Sequence, residues 1–104
     1  MNQNNSFEKL FNGKILYNEL DFLNESLPLQ QQLEVLKEDL LQVESEDGFY
    51  LLDVGWYPEF DLTGSFGIQV IKKHDWEKPL YSKNASNVSS LKTAIKDCVL
   101  LYGF

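Results

Sequence analysis

The sequence predicts an α+β domain in which a small antiparallel meander of three or more strands carries amphipathic helices on one face. Two β-rich runs, at residues 49–56 and 65–72, flank a loop that contains turn-forming residues. Two other stretches repeat apolar residues at helical spacing. Because 104 residues suit one domain, residues 1–104 are predicted to form a single domain, with the polar residues 1–6 as a frayed tail.

The two β-rich runs differ in their alternation. The second run alternates apolar residues with small or polar ones, which is typical of a strand with one buried face. The first run is apolar on both phases around Asp53, so we predict a central strand covered on both sides, in which a buried Asp53 needs a partner. The connection, residues 57–64, contains Pro58 and Gly64 and is too long for a two-residue turn. We therefore expect a long, acidic, aromatic hairpin loop.

The first helix is predicted over residues 29–42. Apolar residues recur there at spacings of four, three, four and three, from Leu29 to Val43. Pro28 suits the first turn of such a helix, and Gly48 can close the turn into the strand that follows. The prediction is therefore one amphipathic helix packed on the sheet.

The C-terminal third predicts one more strand and one more helix. Residues 79–84 fit a third strand, in which Pro79 suits an edge position. Ser86 or Asn87 can cap a final helix, because the apolar residues from Val88 onward follow helical spacing. Earlier in the chain, the pattern around residues 7–27 leaves helical and extended conformations open.

The distribution of charge points to a basic protein partner. The net charge is −7, there is no arginine, and residues 38–71 contain eight acidic residues and no basic one. Phosphate binding normally requires clustered Lys and Arg, so nucleic acid is not an expected partner. A negative field instead favours encounter with a cationic protein, although acidic residues also serve to keep small domains soluble.

Residues suited to catalysis or metal binding are scarce. Cys98 is the only cysteine and falls in an apolar helical pattern, and His74 is the only histidine and falls in a lysine-rich turn. No metal site, cofactor or nucleophilic triad is therefore expected. A carboxylate-based hydrolase built on Asp53, Glu59 and Asp61 is a minor alternative, because so small a domain offers little cleft.

Aromatic and acidic residues are interleaved in the predicted turns. Tryptophan and tyrosine are favoured in interfaces, although Trp56 and Trp76 can equally cap a small core. Both roles are compatible, with Trp56 buried and Tyr57 exposed. The candidate contact residues for a partner are Glu44, Glu46, Asp47, Trp56, Tyr57, Glu59, Asp61, Asp75 and Trp76.

Three segments resemble bacterial immunity proteins that accompany contact-dependent growth inhibition and related polymorphic toxins. They are L-Q-Q-Q-L-E-V-L-K-E-D-L-L-Q-V at residues 29–43, D-V-G-W-Y-P-E-F-D-L-T-G-S-F-G-I-Q-V-I at residues 53–71, and D-W-E-K-P at residues 75–79. The order of the leucine-rich segment, the G-W-Y-P turn, the G-x-F strand and the W-x-x-P step carries the resemblance. It covers about residues 15–104.

The resemblance implies a non-enzymatic protein that binds the C-terminal domain of a cognate toxin and blocks its active site. The segment without basic residues motivates a further hypothesis, that the toxin is a nuclease such as an RNase with a basic cleft. The alternative is a non-catalytic adaptor for another basic protein. No apolar run approaches the roughly 18 to 20 residues that span a bilayer. The first residues also lack signal-peptide features, so we expect a cytoplasmic protein without a membrane partner.

Overall fold

The computed structural model describes residues 7–104, in which a five-stranded antiparallel sheet packs against one α-helix. The strands follow one another in spatial order as they do in sequence. They are β1 (Lys14–Asn18), β2 (Leu41–Glu44), β3 (Tyr50–Tyr57), β4 (Ser65–Lys72) and β5 (Tyr81–Ala85), and the helix is α1 (Val88–Tyr102). Short 3-10 turns lie at Phe7–Leu10, Leu20–Phe22, Leu29–Gln31 and Leu33–Val35. The α+β class is confirmed, whereas the predicted tail at residues 1–6 lies outside the described residues.

The central meander follows the predicted order of strands. β4 has the predicted bounds, β3 is displaced by one residue, and β5 begins two residues later than expected. Two further strands, β1 and β2, extend the sheet beyond the predicted three. The segment at residues 7–27, whose conformation the sequence pattern left open, contains both kinds of structure: the strand β1 and two 3-10 turns. Residues 58–64 form the predicted long connection between β3 and β4.

The predicted helix at residues 29–42 is wrong. Two 3-10 turns occupy its first half, and its end belongs to β2. Gln32 explains the break, because its backbone leaves the helical region at φ −140° and ψ 39°. Its buried side chain accepts from the Asn24 N–H and donates to the Asn24 and Leu27 carbonyls at 2.8–3.1 Å. The leucines that suggested a helical stripe, such as Leu36 and Leu40, still reach the core.

The final helix is confirmed, including its cap. Asn87 Oδ1 accepts from the Ser90 N–H at 2.8 Å, and Gly103 ends the helix at φ 80° with its N–H donated to the Val99 carbonyl. Cys98 is fully buried on the inner face of α1, where burial raises the pKa of its thiol to about 12. Cys98 is therefore a buried core residue of α1, as its place in the apolar helical pattern predicted.

Each face of the sheet has its own character. Leu52, Val54 and Trp56 of β3 belong to the core cluster together with residues of α1. The residues that alternate with them face away from α1, and we call this side the open face; its polar members include Gln42, Glu44, Asp53, Gln69, Ser82 and Asn84. On this side of β3, Leu51 and Gly55 are buried, as predicted for a strand covered on both sides, whereas Asp53 is half-buried. None of the helices within residues 7–104 has the length and apolar character required to cross a membrane.

Candidate functional site

The nine candidate contact residues lie at opposite ends of the sheet. Residues 45–49 and 73–80 meet at one end, where the Lys73 N–H donates to the Phe49 carbonyl at 2.9 Å. Residues 36–40 and 58–64 meet at the other, where the Phe60 N–H donates to the Leu36 carbonyl at 2.8 Å. The eight residues of β3 separate the two ends by roughly 25 Å. The candidates therefore cannot form one compact patch.

Two acidic residues at the first end, Glu44 and Asp47, have local partners. Glu44 forms an ion pair with Lys73, and this lysine lowers the pKa of the Glu44 carboxyl. Asp47 Oδ1 accepts from Ser45 Oγ at 2.6 Å and from the Phe49 N–H at 2.9 Å, which lowers the pKa of Asp47 and shapes the turn. We call this the lysine-paired end; its other candidates, Glu46, Asp75 and Trp76, are exposed.

The second end is acidic and has a rigid backbone. The Trp56 N–H donates to the Lys37 carbonyl at 2.7 Å, which continues the β2–β3 pairing into residues 36–40. Glu59 Oε1 accepts from the Glu38 N–H at 3.2 Å and so joins the two loops. We call this the acidic end and define it by Glu38, Asp39, Glu59 and Asp61, all of which are exposed.

Tyr57 links the acidic end to the open face. Its hydroxyl donates to the Glu38 carbonyl at 3.1 Å, and its ring lies over Gly67. A Cβ at Gly67 would lie 3.3 Å from two ring carbons, so the absence of a side chain at Gly67 accommodates the ring. Burial raises the pKa of Tyr57, and the carboxylates of Asp53, Asp39 and Glu38 raise it further. With 45% of its surface exposed, Tyr57 can contact a partner directly.

Trp56 has a structural role at this end. It is only 1% exposed, and its ring meets Phe66 edge-to-face at 4.8 Å between centroids. Its Nε1–H donates to the Asp61 carbonyl at 2.8 Å, which ties the loop to the core. The Asp61 carboxylate accepts from the Thr63 N–H and hydroxyl, which lower its pKa. Trp56 is therefore removed from the contact surface, and the exposed tryptophan, Trp76, lies at the lysine-paired end.

The open face contributes acidic and aromatic residues that the sequence did not single out for binding. Gln42 Nε2 donates to Asp53 Oδ1 at 3.1 Å, while burial raises the pKa of Asp53 and nearby Asp39 raises it further. Tyr17, Asp39 and Gln42 line a concavity of about 350 Å³. Tyr17 is hydrogen-bonded to Glu19, which raises its pKa to about 12. Only the cross-strand register brings these residues together, so the sequence pattern held no signal for them.

The balance of charge differs between the two ends. Lys37 is the lysine nearest the acidic end, and its Nζ lies 3.1 Å from Glu19 Oε1, a carboxylate outside that end. Lys83 of β5 lies on the face of the sheet that packs against α1, where it lines a groove with residues of the helix. The carboxylates of the acidic end and Asp53 therefore have no lysine ion pair within the described residues, which leaves a negative field over this part of the open face.

The described residues hold few groups suited to chemistry. Within residues 7–104, no cluster of three or more His, Cys, Asp or Glu side chains is placed to bind a metal ion. His74 is exposed in the β4–β5 loop at φ 70°. The hydrolase alternative needs Glu59 and Asp61, but both carboxylates accept hydrogen bonds that build the loops. These two carboxylates therefore act as hydrogen-bond acceptors that join and shape the loops.

Comparison with known proteins gave no relatives. The chain matches no protein-family model. Searches of curated proteins and of solved structures likewise found no significant match.

Proposed function

We propose that this chain is a non-enzymatic binding protein that docks its acidic end and the adjoining open face on a basic protein domain. One observation carries the proposal: Glu38, Asp39, Glu59 and Asp61 share one exposed end of the sheet with Tyr57, and none of them forms a lysine ion pair among the described residues. A partner with clustered lysine and arginine side chains supplies the missing positive charge.

The shape of this region supports protein docking over small-molecule binding. The larger concavity on the open face, beside Tyr17 and Asp39, is wide open to solvent, and exposed apolar side chains at Phe60 and Leu62 adjoin the acidic residues of the loop. An exposed tyrosine among carboxylates is typical of an interface in which an aromatic anchor is surrounded by polar residues. Backbone hydrogen bonds hold residues 36–40 against β3, so the surface is ordered before the partner arrives and loses little conformational entropy on binding.

The resemblance to immunity proteins suggests what the partner is. We propose that it is the C-terminal domain of a polymorphic toxin involved in contact-dependent growth inhibition, and that the domain is a nuclease. Nuclease clefts are basic because they bind phosphates, and a carboxylate-rich surface can occupy the same cleft. Inhibition would then follow from exclusion of the nucleic acid, with no chemistry performed by this chain. The proposed location is the cytoplasm, where such a toxin acts on nucleic acid.

Coexpression with the candidate toxin tests the proposal. The gene directly upstream of this one should encode a large protein, and its C-terminal domain should arrest growth when expressed alone. Growth should recover when this chain is coexpressed, and calorimetry on the purified pair should give affinity that falls steeply as salt is raised. A domain that arrests growth but is neither bound nor neutralised would overturn the immunity proposal. Binding to a harmless basic protein would instead support the adaptor alternative.

A further inference from the structure

A second depression on the open face has the dimensions and chemistry of a side-chain slot. It measures about 150 Å³ and lies across β3, β4 and β5. Its lining includes Asp53, Tyr57, Gly67, Gln69, Ser82 and Asn84. Asp53 pairs with Gln69 across the sheet, and Gly67 pairs with Asn84, so these residues lie next to one another by strand register.

Gly67 and Tyr57 form one side of the slot. Gly67 places no side chain on the open face, whereas Gly55, its partner on β3, is covered by the Glu38 carbonyl and lies outside the slot. The Tyr57 ring lies over Gly67, and its hydroxyl donates to the Glu38 carbonyl at 3.1 Å. This hydrogen bond positions an aromatic ring at the side of the slot.

Asp53 is the charged group of the slot. Gln42 Nε2 donates to Oδ1 at 3.1 Å, and no described residue donates a hydrogen bond to Oδ2. A half-buried carboxylate in the middle of a sheet face is unfavourable without a cation, and an amide in its place would satisfy Gln42 equally well. The fold therefore does not require a charged side chain at position 53, whereas binding of a cationic ligand would require the Asp53 carboxylate.

We propose that the slot binds an arginine side chain of the partner protein, an inference that rests on the proposed function. The planar guanidinium stacks on the Tyr57 ring and donates to Asp53 Oδ2, while the side-chain oxygens of Gln69 and Asn84 accept its other N–H groups. The chain itself contains no arginine that could fill the slot. A lysine ammonium is more strongly hydrated and cannot stack in the same way.

Titration with small arginine derivatives tests the slot without the partner. The probes are Nα-acetyl-argininamide, the corresponding lysine compound, and the citrulline compound, which has nearly the same shape but no charge. Amide signals in ¹⁵N spectra of the whole chain report where each probe binds. We expect the arginine probe to shift Gly67, Gln69 and Asn84 with a dissociation constant on the order of 1–10 mM. The lysine probe should bind at least about fivefold more weakly, and the citrulline probe should produce no saturable shift.

Two substitutions and one control complete the test. Asp53→Asn should weaken binding of the arginine probe at least about tenfold, and Gly67→Ala should weaken it by displacing the Tyr57 ring, whereas Glu46→Gln at the lysine-paired end should change the affinity little. The spectra also establish that each variant is folded. Equal binding of lysine and arginine, or arginine shifts that survive Asp53→Asn, would overturn the inference.

The outcome also separates this inference from the proposed function. If the partner domain binds Asp53→Asn with unchanged affinity but loses affinity for variants of the acidic end, the slot is wrong and the proposed function stands. If the arginine probe saturates the slot but the neighbouring domain does not bind the chain, the slot stands and the proposed function is wrong.

Discussion

Gly55→Ala should destabilise the fold far more than Gly67→Ala, although the two glycines face each other in the same sheet. A Cβ at Gly55 would overlap the Glu38 carbonyl oxygen and approach the Tyr57 hydroxyl at 3.0 Å. The backbone of residues 37–39 must then move away from β3. That movement strains two hydrogen bonds, from Tyr57 Oη to Glu38 and from the Trp56 N–H to Lys37.

The expected cost at Gly55 follows from three contributions. Overpacking costs about 1–3 kcal/mol, and two weakened hydrogen bonds cost about 0.5–1.5 kcal/mol each. Replacing a strand glycine by alanine, taken alone, raises the free energy of unfolding by about 0.5–1 kcal/mol. The sum is a loss of about 3 kcal/mol in the free energy of unfolding, which corresponds to a fall of about 2 M in the urea midpoint.

Gly67→Ala is the matched control. Its Cβ would meet only the Tyr57 ring, at 3.3 Å, and a half-exposed ring can move by a few tenths of an ångström. We expect a change within about 0.5 kcal/mol, because the strand preference of alanine offsets the contact. Urea unfolding followed by circular dichroism and by tryptophan fluorescence gives both values. Equal effects of the two substitutions would refute the close approach of residues 37–39 to β3.

Three further predictions concern stability. Burial raises the pKa of Asp53, so its ionisation destabilises the fold as pH rises through that pKa. Asp53→Asn should therefore be more stable than the natural chain at pH 7 and should lose this advantage near pH 3. Thermal melts at both pH values measure the difference. Gln32→Ala removes three hydrogen bonds to residues 24–27 and should cost about 2–4 kcal/mol in urea unfolding, against little change for the exposed Gln31→Ala. Asn87→Ala removes the cap of α1 and should cost about 1 kcal/mol, whereas Asn87→Asp should retain stability in the same assay.

The local sequence pattern was sufficient to predict some of the strands and helices. β4 alternates clearly, and α1 combines a capping Asn87 with a regular apolar stripe, so both were predictable from neighbouring residues. The segment at residues 29–42 was not, because leucines at helical spacing also reach the core from 3-10 turns. The decisive contact there is the pair of hydrogen bonds between the Gln32 side chain and the backbone of Asn24, eight positions away, which periodicity does not encode.

Placement of the candidate site depended on sheet register. The absence of basic residues between positions 38 and 71 was visible in the sequence, but seven of the eight acidic residues there are divided between the two ends of the sheet, and Asp53 lies between them. Lys73 reaches Glu44 across the sheet and pairs with it, which no count along the chain would indicate. Tyr17 joins Asp39 and Gln42 on the open face only because β1 pairs with β2. Long-range pairing therefore decided which charges act together.

Binding by two charge-matched variants tests the central claim most directly. One variant carries Glu38→Gln, Asp39→Asn and Glu59→Gln at the acidic end. The other carries three changes of the same chemistry at the lysine-paired end, namely Glu46→Gln, Asp75→Asn and Glu77→Gln. Each variant raises the net charge equally, so any difference in affinity reports position alone.

Calorimetry should be performed with the proposed partner, the C-terminal domain of the candidate toxin. The acidic-end variant should bind on the order of 100-fold more weakly than the natural chain, and the control variant within about threefold. Equal losses from the two variants, or a larger loss from the control, would contradict the assignment of the binding surface.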